Sequence, residues 1–398
     1  MTLDIHTRFQ QLSALLQETQ QYWRPKAFHD HHLPVMDLHP ELVYQLYALS
    51  EDEVVALAND DDALTQTLAD ALPFVTELAA LTALPALPQR SLPGVSPHFH
   101  TGVPGRKWQQ VQNFARCLPG DKLPILEWCA GKSHLGFYLQ HCFNQEVTAL
   151  EWDKRLAAEA NARAARDGRP LHSHEVDVLA DNAKVFLKKS QQAVALHACG
   201  DLHERLLHLC TEIGVEQIHL APCCYHKRRL DTYIPLSESG RSQDLKLDKS
   251  DLHTAIMETA TAGATVRRQR IRMQTMRLGF DCLQRDLRST NQFLPLPSLP
   301  SKWARASFKE FCRHCSRLKA IELPRKVDWE YYWRLGEQRF QQVAALDLVR
   351  MVFRRPLEVW LVLDQAIFLQ ERGYSTEIGT FCCVDKTPRN LLLQAHYQ

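Results

Sequence analysis

Short apolar runs alternate with longer stretches of helical period through the middle of this 398-residue chain. Runs of strand length occur at 123–128, 146–151, 172–177, 193–198 and 216–222, while 154–167 and 201–213 place apolar residues at helical spacing. Strands that alternate with helices in this way pair in parallel, each helix crossing a face of the sheet. Two β-like runs close the chain, 377–383 and 390–397, and the short loop between them predicts an antiparallel hairpin. The flanking regions are helical in pattern. Helices are predicted at 4–23, 39–48, 51–58, 62–84 and 105–116, with a proline-punctuated linker from 84 to 104, and again at 251–278, 301–319, 329–354 and 357–372. Together these elements predict an α/β fold with a seven-stranded sheet. Its segments are a helical N-terminal domain over 1–95, the sheet core over 96–240, a helical insertion between strands five and six over 241–373, and the hairpin over 374–398.

An apolar fraction of 45% and a charged fraction of 23% are those of an ordinary globular chain with ample material for a core. The first twenty-one residues are polar and helical in pattern, and the most apolar late run, 357–369, is interrupted by Glu358 and Asp364. A cytoplasmic protein without a membrane span is expected. In a reducing compartment the twelve cysteines are expected to be thiols. Net charge is near zero but uneven. Residues 1–95 carry four basic and thirteen acidic side chains, a net −9, and residues 240–355 carry twenty-three and twelve, a net +11. Either the basic region meets a polyanion such as RNA, or it docks on the acidic region of the same molecule.

The segment from Leu123 to Gly136 is the most informative. A buried strand runs into a small-residue turn and opens a helix near Ser133, so backbone N–H groups and a helix N-terminus converge on one crevice. Against the pattern D/E-x-G-x-G-x-G the turn supplies Glu127, Cys129, Gly131 and Ser133, with His134 next, so only the middle glycine is kept. A pyrophosphate needs those glycines to lie against the backbone, whereas a ligand without one needs less room. S-adenosylmethionine is therefore favoured over a dinucleotide, with Glu127 facing its ammonium group. The next strand ends in Glu151, placed for both ribose hydroxyls, and the third ends in Asp177, placed for the adenine amino group.

Strand four ends in Leu196-His-Ala-Cys-Gly-Asp-Leu202, which sets His197, Cys199 and Asp201 where a base or positioning group is needed. Asp201 equally suits a helix cap. Strand five ends in Leu220-Ala-Pro-Cys-Cys-Tyr-His-Lys227 and brings Cys223, Cys224, Tyr225 and His226 to the same edge. Three readings compete there: Tyr225 stacks on a base, a thiolate adds to a pyrimidine, or Cys and His bind metal. The C-x-x-C at Cys312 and Cys315 has no second pair at zinc spacing, so no metal site is expected. Arg267 and Arg268 begin a basic helix face suited to phosphate, as are Trp303, Arg305, Lys309, Arg313 and Arg317, and the hairpin loop would carry Lys386 and Arg389 to the substrate.

These segments, with Leu363-Asp-Gln-Ala-Ile-Phe-Leu-Gln-Glu-Arg-Gly-Tyr374 and Thr387-Pro-Arg-Asn390, resemble a divergent group of methyltransferase-domain proteins. Animal relatives are named methyltransferase-like, ribosomal RNA adenine dimethylase domain-containing and glutathione S-transferase C-terminal domain-containing proteins. A tRNA 2′-O-methyltransferase group is similar around the adjacent cysteines. The resemblance covers about 105–235 and 357–395. It implies a class I, Rossmann-like methyltransferase sheet that binds S-adenosylmethionine through Glu127, Gly131, Glu151 and Asp177. The expectation is a methyltransferase acting on RNA (tRNA or rRNA). A protein or small-molecule substrate, or a binding module without turnover, are the alternatives.

Overall fold

All five apolar runs are strands of one sheet in this computed structural model, which describes residues 3–257 and 264–398. They are β1 (Ile125–Trp128), β2 (Val147–Glu151), β3 (Leu171–Glu175), β4 (Gln192–Cys199) and β5 (Gln217–Cys223), joined by β6 (Tyr374–Thr380) and β7 (Leu391–Tyr397). The order is β3-β2-β1-β4-β5-β7-β6. The first five strands pair in parallel, and β7 runs antiparallel to both β5 and β6. β1 and β5 are buried along their whole length, because helices cover both faces of a parallel sheet and leave no polar side for alternation to mark. The class I methyltransferase sheet is thus present, and every β-to-helix turn of its parallel half opens on one edge.

The chain divides differently from the expected boundaries. One compact unit contains the sheet and joins the N-terminal stretch to Gln17, Ala80–Ile256 and Arg355–Gln398; the other joins Glu18–Ala79 to Met257–Arg354. The helix Arg354–Gln370, expected in the insertion, therefore runs almost wholly within the sheet unit, as does Ile5–Glu18. Phe9 stacks on Trp360 at 5.2 Å, and the Trp360 indole N–H donates to Ser13 Oγ at 2.8 Å. Nearly every side chain of Arg354–Gln370 from Pro356 to Leu369 is buried, so period alone could not show which face meets the sheet. Smaller differences have local causes. The predicted helix 62–84 is broken before Phe74 by Pro73 into Asp61–Ala69 and Phe74–Thr82. The predicted 301–319 is a short 3-10 helix over Ser301–Arg305 and then an α-helix from Phe308, behind a capping box between Ser307 and Glu310. The part of the predicted helix 251–278 over 258–263 lies outside the described residues.

In the second unit the acidic and basic segments pack on each other. Glu18–Ala79 carries twelve acidic and two basic side chains, and Met257–Arg354 nine and nineteen, so net charges of −10 and +10 cancel. Guanidiniums reach across: Arg339 donates to the Ala27 carbonyl at 2.7 Å, Arg350 to that of Trp23 at 3.1 Å, and Arg354 pairs with Asp61 at 2.5 Å. The helices Ala264–Arg288 and Trp329–Met351 touch backbone to backbone, since a Cβ on Gly336 would lie 2.6 Å from the Thr275 carbonyl oxygen. No helix among the described residues is long and apolar enough to cross a membrane.

Asp364, in the last helix, anchors the segment after β5. Its carboxylate is fully buried and accepts from the Tyr233 hydroxyl (2.6 Å), the Leu236 N–H (2.7 Å), the Ser237 N–H (3.1 Å) and the Ser237 hydroxyl (2.5 Å). Asp364→Ala would strand these buried donors and is expected to destabilise the sheet unit by about 3 kcal/mol. Urea unfolding with amide exchange at 236 and 237 measures this; an unchanged midpoint would show the anchor to be dispensable.

Candidate active site

The turn after β1 keeps the shape of a three-glycine loop with one glycine. Cys129, Gly131 and Ser133 have φ of 57°, 58° and 54°, left-handed values that favour glycine. Such a conformation costs a non-glycine residue on the order of 1 kcal/mol and persists where surrounding contacts fix it. At Ser133 those contacts are visible. The side chain is fully buried, and its hydroxyl donates to Glu127, which also accepts the Gly136 N–H at 3.1 Å. Glu127 is therefore a brace inside the loop, 4% exposed, with both of these donors on one carboxylate oxygen. Burial pushes its carboxyl up to about 7, against the opposing pull of the Ser133 and Gly136 donors.

Glu151, at the end of β2, ties this loop to its neighbour. One oxygen accepts the Gly131 N–H at 2.7 Å and the other the Asp153 N–H at 3.0 Å. Each oxygen keeps a second lone pair, enough to receive a ribose hydroxyl. A Cβ on Gly131 would meet nothing within 4 Å, so open space lies over the loop at its one retained glycine. Cys129 lies within electrostatic reach of Glu151, Asp177 and Cys199, and burial first, then Glu151, pushes its thiol up to about 12. Asp177 is exposed two residues beyond β3 and accepts the Leu179 N–H at 3.0 Å. His134 opens the helix His134–Phe143, with burial and then Lys107 holding it down to about 4, hence neutral. Sequence reading missed Trp152, an indole 78% exposed directly after Glu151. A carboxylate, an open glycine cradle and an exposed aromatic face suit the ribose and base of an adenosine.

β4 is irregular where it reaches this edge. Its pairing with β5 shifts between Leu196 and Cys199, and His197 within the bulge has φ 71°. The His197 Nε2–H donates to Gln110 Oε1 at 2.6 Å, which leaves Nδ1 as acceptor. Burial and then Lys107 and Arg389 hold this imidazole down to about 4, so it is neutral at pH 7. Gly200 is required: a Cβ there would lie 1.8 Å from the Lys227 carbonyl oxygen. Asp201 accepts the Arg229 N–H at 2.7 Å and holds the loop after β5; the cap position of the following helix belongs to Gly200, so the expected side-chain cap is not formed.

The cysteines of β4 and β5 meet. Cys199 and Cys223 pair across the two strands with their sulfurs 3.5 Å apart, and Cys224 Sγ lies within 4.8 Å of both. The Cys199 and Cys223 thiols as donors, then Arg389 and Lys227, hold Cys224 well below the usual thiol range, while Cys223 is pushed up. Tyr225 corrects an expectation. It is 2% exposed and packs edge-on to His203 at 5.8 Å, so neither face is open for a base to stack upon. Burying a large ring beneath the strand end outweighed display of it. The His226 ring lies 5.2 Å from that of His253. On the hairpin loop, Lys386 pairs with Asp385 at 2.7 Å, and the Arg389 charge reaches His197 and Cys224. Arg267 and Arg268 are exposed on the second unit. Lys107 and Gln110, on the helix Gly105–Cys117, were also missed; that helix read only as a lead-in to β1.

Residues 106–230 match a family model described as a methyltransferase domain. The chain carries a methyltransferase domain. With the strand order above, that domain has the class I methyltransferase fold, whose methyl donor is S-adenosylmethionine. Among solved structures the chain is similar to a cyclopropane synthase of Mycobacterium tuberculosis, at 12% identity over 90% of this chain and 97% of that one, with a TM-score of 0.25. It is also similar to a coclaurine N-methyltransferase bound to N-methylheliamine and SAH, at 9% identity over the same shares, with a TM-score of 0.28. Both likenesses are remote, and neither bears on the substrate of the methyltransferase domain.

The Glu127 brace makes stability depend on pH. Its folded value near 7 lies above the usual 4.5, so the folded chain holds this proton more tightly than the unfolded one. Its contribution is complete below about pH 4.5 and is lost as pH rises through about 7. Glu127→Gln keeps an accepting carbonyl for Ser133 and Gly136 without the charge. Relative to the unsubstituted protein it is expected to gain roughly 1–3 kcal/mol between pH 5 and pH 8 in urea unfolding. Parallel pH curves for the two proteins would refute the assignment.

Proposed function

We propose that this methyltransferase acts on RNA, tRNA or rRNA, with the second unit supplying the phosphate-binding surface. S-adenosylmethionine, when bound, supplies an electrophilic methyl group. Glu151 would hold its ribose and Trp152 its adenine, above the open face of Gly131. Neutral His197, fixed through Nε2–H by Gln110, presents Nδ1 to orient an acceptor or take up its proton. Its low basicity suits positioning over outright deprotonation.

The observation that carries the RNA reading is a concavity of about 520 Å³ on the second unit, lined by Lys302, Trp303, Arg305, Arg313 and Arg317 with a single acid, Glu310. Trp303 stacks on His314 at 4.2 Å, so an aromatic surface lies among the cations. Cations interleaved with aromatic rings match a single strand that offers phosphates and bases together. The second reading, a protein or small-molecule substrate, is favoured by the near-complete cancellation of charge between the two segments of that unit.

Comparison of modified nucleosides in tRNA and rRNA from cells with and without the protein tests the RNA reading, and identical profiles would overturn it. Arg305→Glu with Arg313→Glu is expected to weaken RNA binding at least about tenfold and to flatten the salt dependence by roughly two phosphate contacts. Salt-independent binding by the unsubstituted protein would favour the second reading. Separately, Glu151→Ala and Trp152→Ala are each expected to weaken S-adenosylmethionine about tenfold in calorimetry, since each removes a contact worth on the order of 1–2 kcal/mol. Unchanged affinity would remove that residue from the site.

A further inference from the structure

We propose that Cys199, Cys223 and Cys224 form a three-thiolate site for a zinc ion where β4 and β5 end. The three sulfurs lie within 4.8 Å of one another, and the Cys199–Cys223 separation is 3.5 Å. Zinc held by thiolates at about 2.3 Å in a tetrahedron separates its sulfurs by roughly 3.8 Å, so the cluster already has the dimensions of an occupied site. A disulfide would need about 2.05 Å.

The backbone is shaped to achieve this convergence. Strand register sets Cys199 opposite Cys223, and Cys224 adopts φ 49°, a conformation unfavourable for a side-chain-bearing residue, which keeps its sulfur beside the other two. Nothing in ordinary strand ending requires three thiols to meet. Charge is provided for as well: three thiolates and a dication leave one negative charge, and Lys227 and Arg389 lie within electrostatic reach of Cys224. All twelve cysteines are free thiols. Three protein ligands leave a fourth position for water or a donor atom of the substrate, the arrangement of exchangeable zinc sites; all-protein structural sites have four.

Sequence reading expected no metal because it sought ligand pairs at short, repeated spacing. Here Cys199 stands 24 and 25 residues from the adjacent pair Cys223-Cys224 and meets it through strand pairing. The pair that did have the spacing, Cys312 and Cys315, is fully buried in an apolar cluster with Phe308 and Phe311.

The test uses the full chain, loaded with zinc under reducing conditions, desalted against a weak chelator and analysed for metal by mass spectrometry. About one zinc per chain is expected, and cobalt(II) in its place is expected to give intense sulfur-to-metal absorption in the near ultraviolet. Cys199→Ser and Cys224→Ser are expected to lower zinc content several-fold, while Cys383→Ala, which removes an exposed thiol elsewhere, retains it. To guard against misfolded variants, the unsubstituted protein is alkylated with and without zinc. Protection confined to Cys199, Cys223 and Cys224 supports the site. Negligible zinc after loading, protection at other cysteines, or a Cys199–Cys223 disulfide in the reduced preparation would overturn it. Because metal content is read without methyl transfer, loss of S-adenosylmethionine binding with zinc retained would count against the proposed function and leave this site standing.

Discussion

One buried carboxylate holds the ligand-facing half of the sheet unit in shape. Glu127 accepts from Ser133 and Gly136, and that pair of contacts fixes a turn with three left-handed residues, two of them carrying side chains. The turn places the Gly131 N–H on Glu151, so β1 and β2 are joined at their ends by a side-chain bond as well as by their ladder. Without the brace, Cys129 and Ser133 would relax toward ordinary φ and withdraw the backbone from the crevice. The brace also explains why glycine is dispensable at position 133. A serine hydroxyl there recovers as a hydrogen bond roughly what the left-handed conformation costs. A burial penalty on Glu127 is the counterpart, and it appears as a carboxyl that stays protonated nearly to neutral pH.

The other half of the edge is fixed from below. His203 donates from Nδ1 to the Ala198 carbonyl at 3.2 Å and accepts from the Gln365 amide at 3.0 Å, a neutral tautomer consistent with burial holding it down to about 4. Gln365 adjoins Asp364, so two consecutive residues of the last long helix secure the bulge of β4 and the segment after β5. A helix whose Gln365 is 162 residues from His203 thus helps set where His197 and the cysteines stand. The Asp-Gln pair of that helix is structural in its contacts although it serves the site by position.

Much of this was legible in the chain. Five apolar runs at regular spacing and a closing hairpin contain the strand order, because parallel crossover topology leaves few alternatives. The acidic end of β2 at Glu151 was readable for the same reason, whereas β3 stops at Glu175, two residues short of Asp177. What could not be read was burial. Tyr225 looks like a ligand group by type and position, yet it faces inward, and only the packing around it decides this. Trp152 was overlooked because nothing in sequence marks an indole as exposed. The two-unit division was hidden because Glu18–Ala79 and Met257–Arg354 are separated by the whole sheet core, and period carries no information on which distant helix covers which face. The three cysteines were legible as strand ends on one edge, but the close approach of Cys199 to Cys223 depends on strand register, which the sequence does not show.

The charge distribution shows why summed charge misleads and arrangement decides. Arg285, Arg350 and Arg354 are matched with Asp281, Asp347 and Asp61, and Arg339 is committed to a backbone carbonyl, so a good part of the positive total is internal to the second unit. Asp281 and Asp347 lie on the same helices as their arginines, and Asp61 of the acidic segment meets Arg354, so these charges cancel at short range. Lys302, Arg305, Arg313 and Arg317 are instead exposed around Trp303. A unit of near-zero net charge can therefore present a positive face, and at a screening length of roughly 8–10 Å an anion close to that face responds to the local cations more than to the acids beyond. Such a surface orients a polyanion at contact without attracting one from afar.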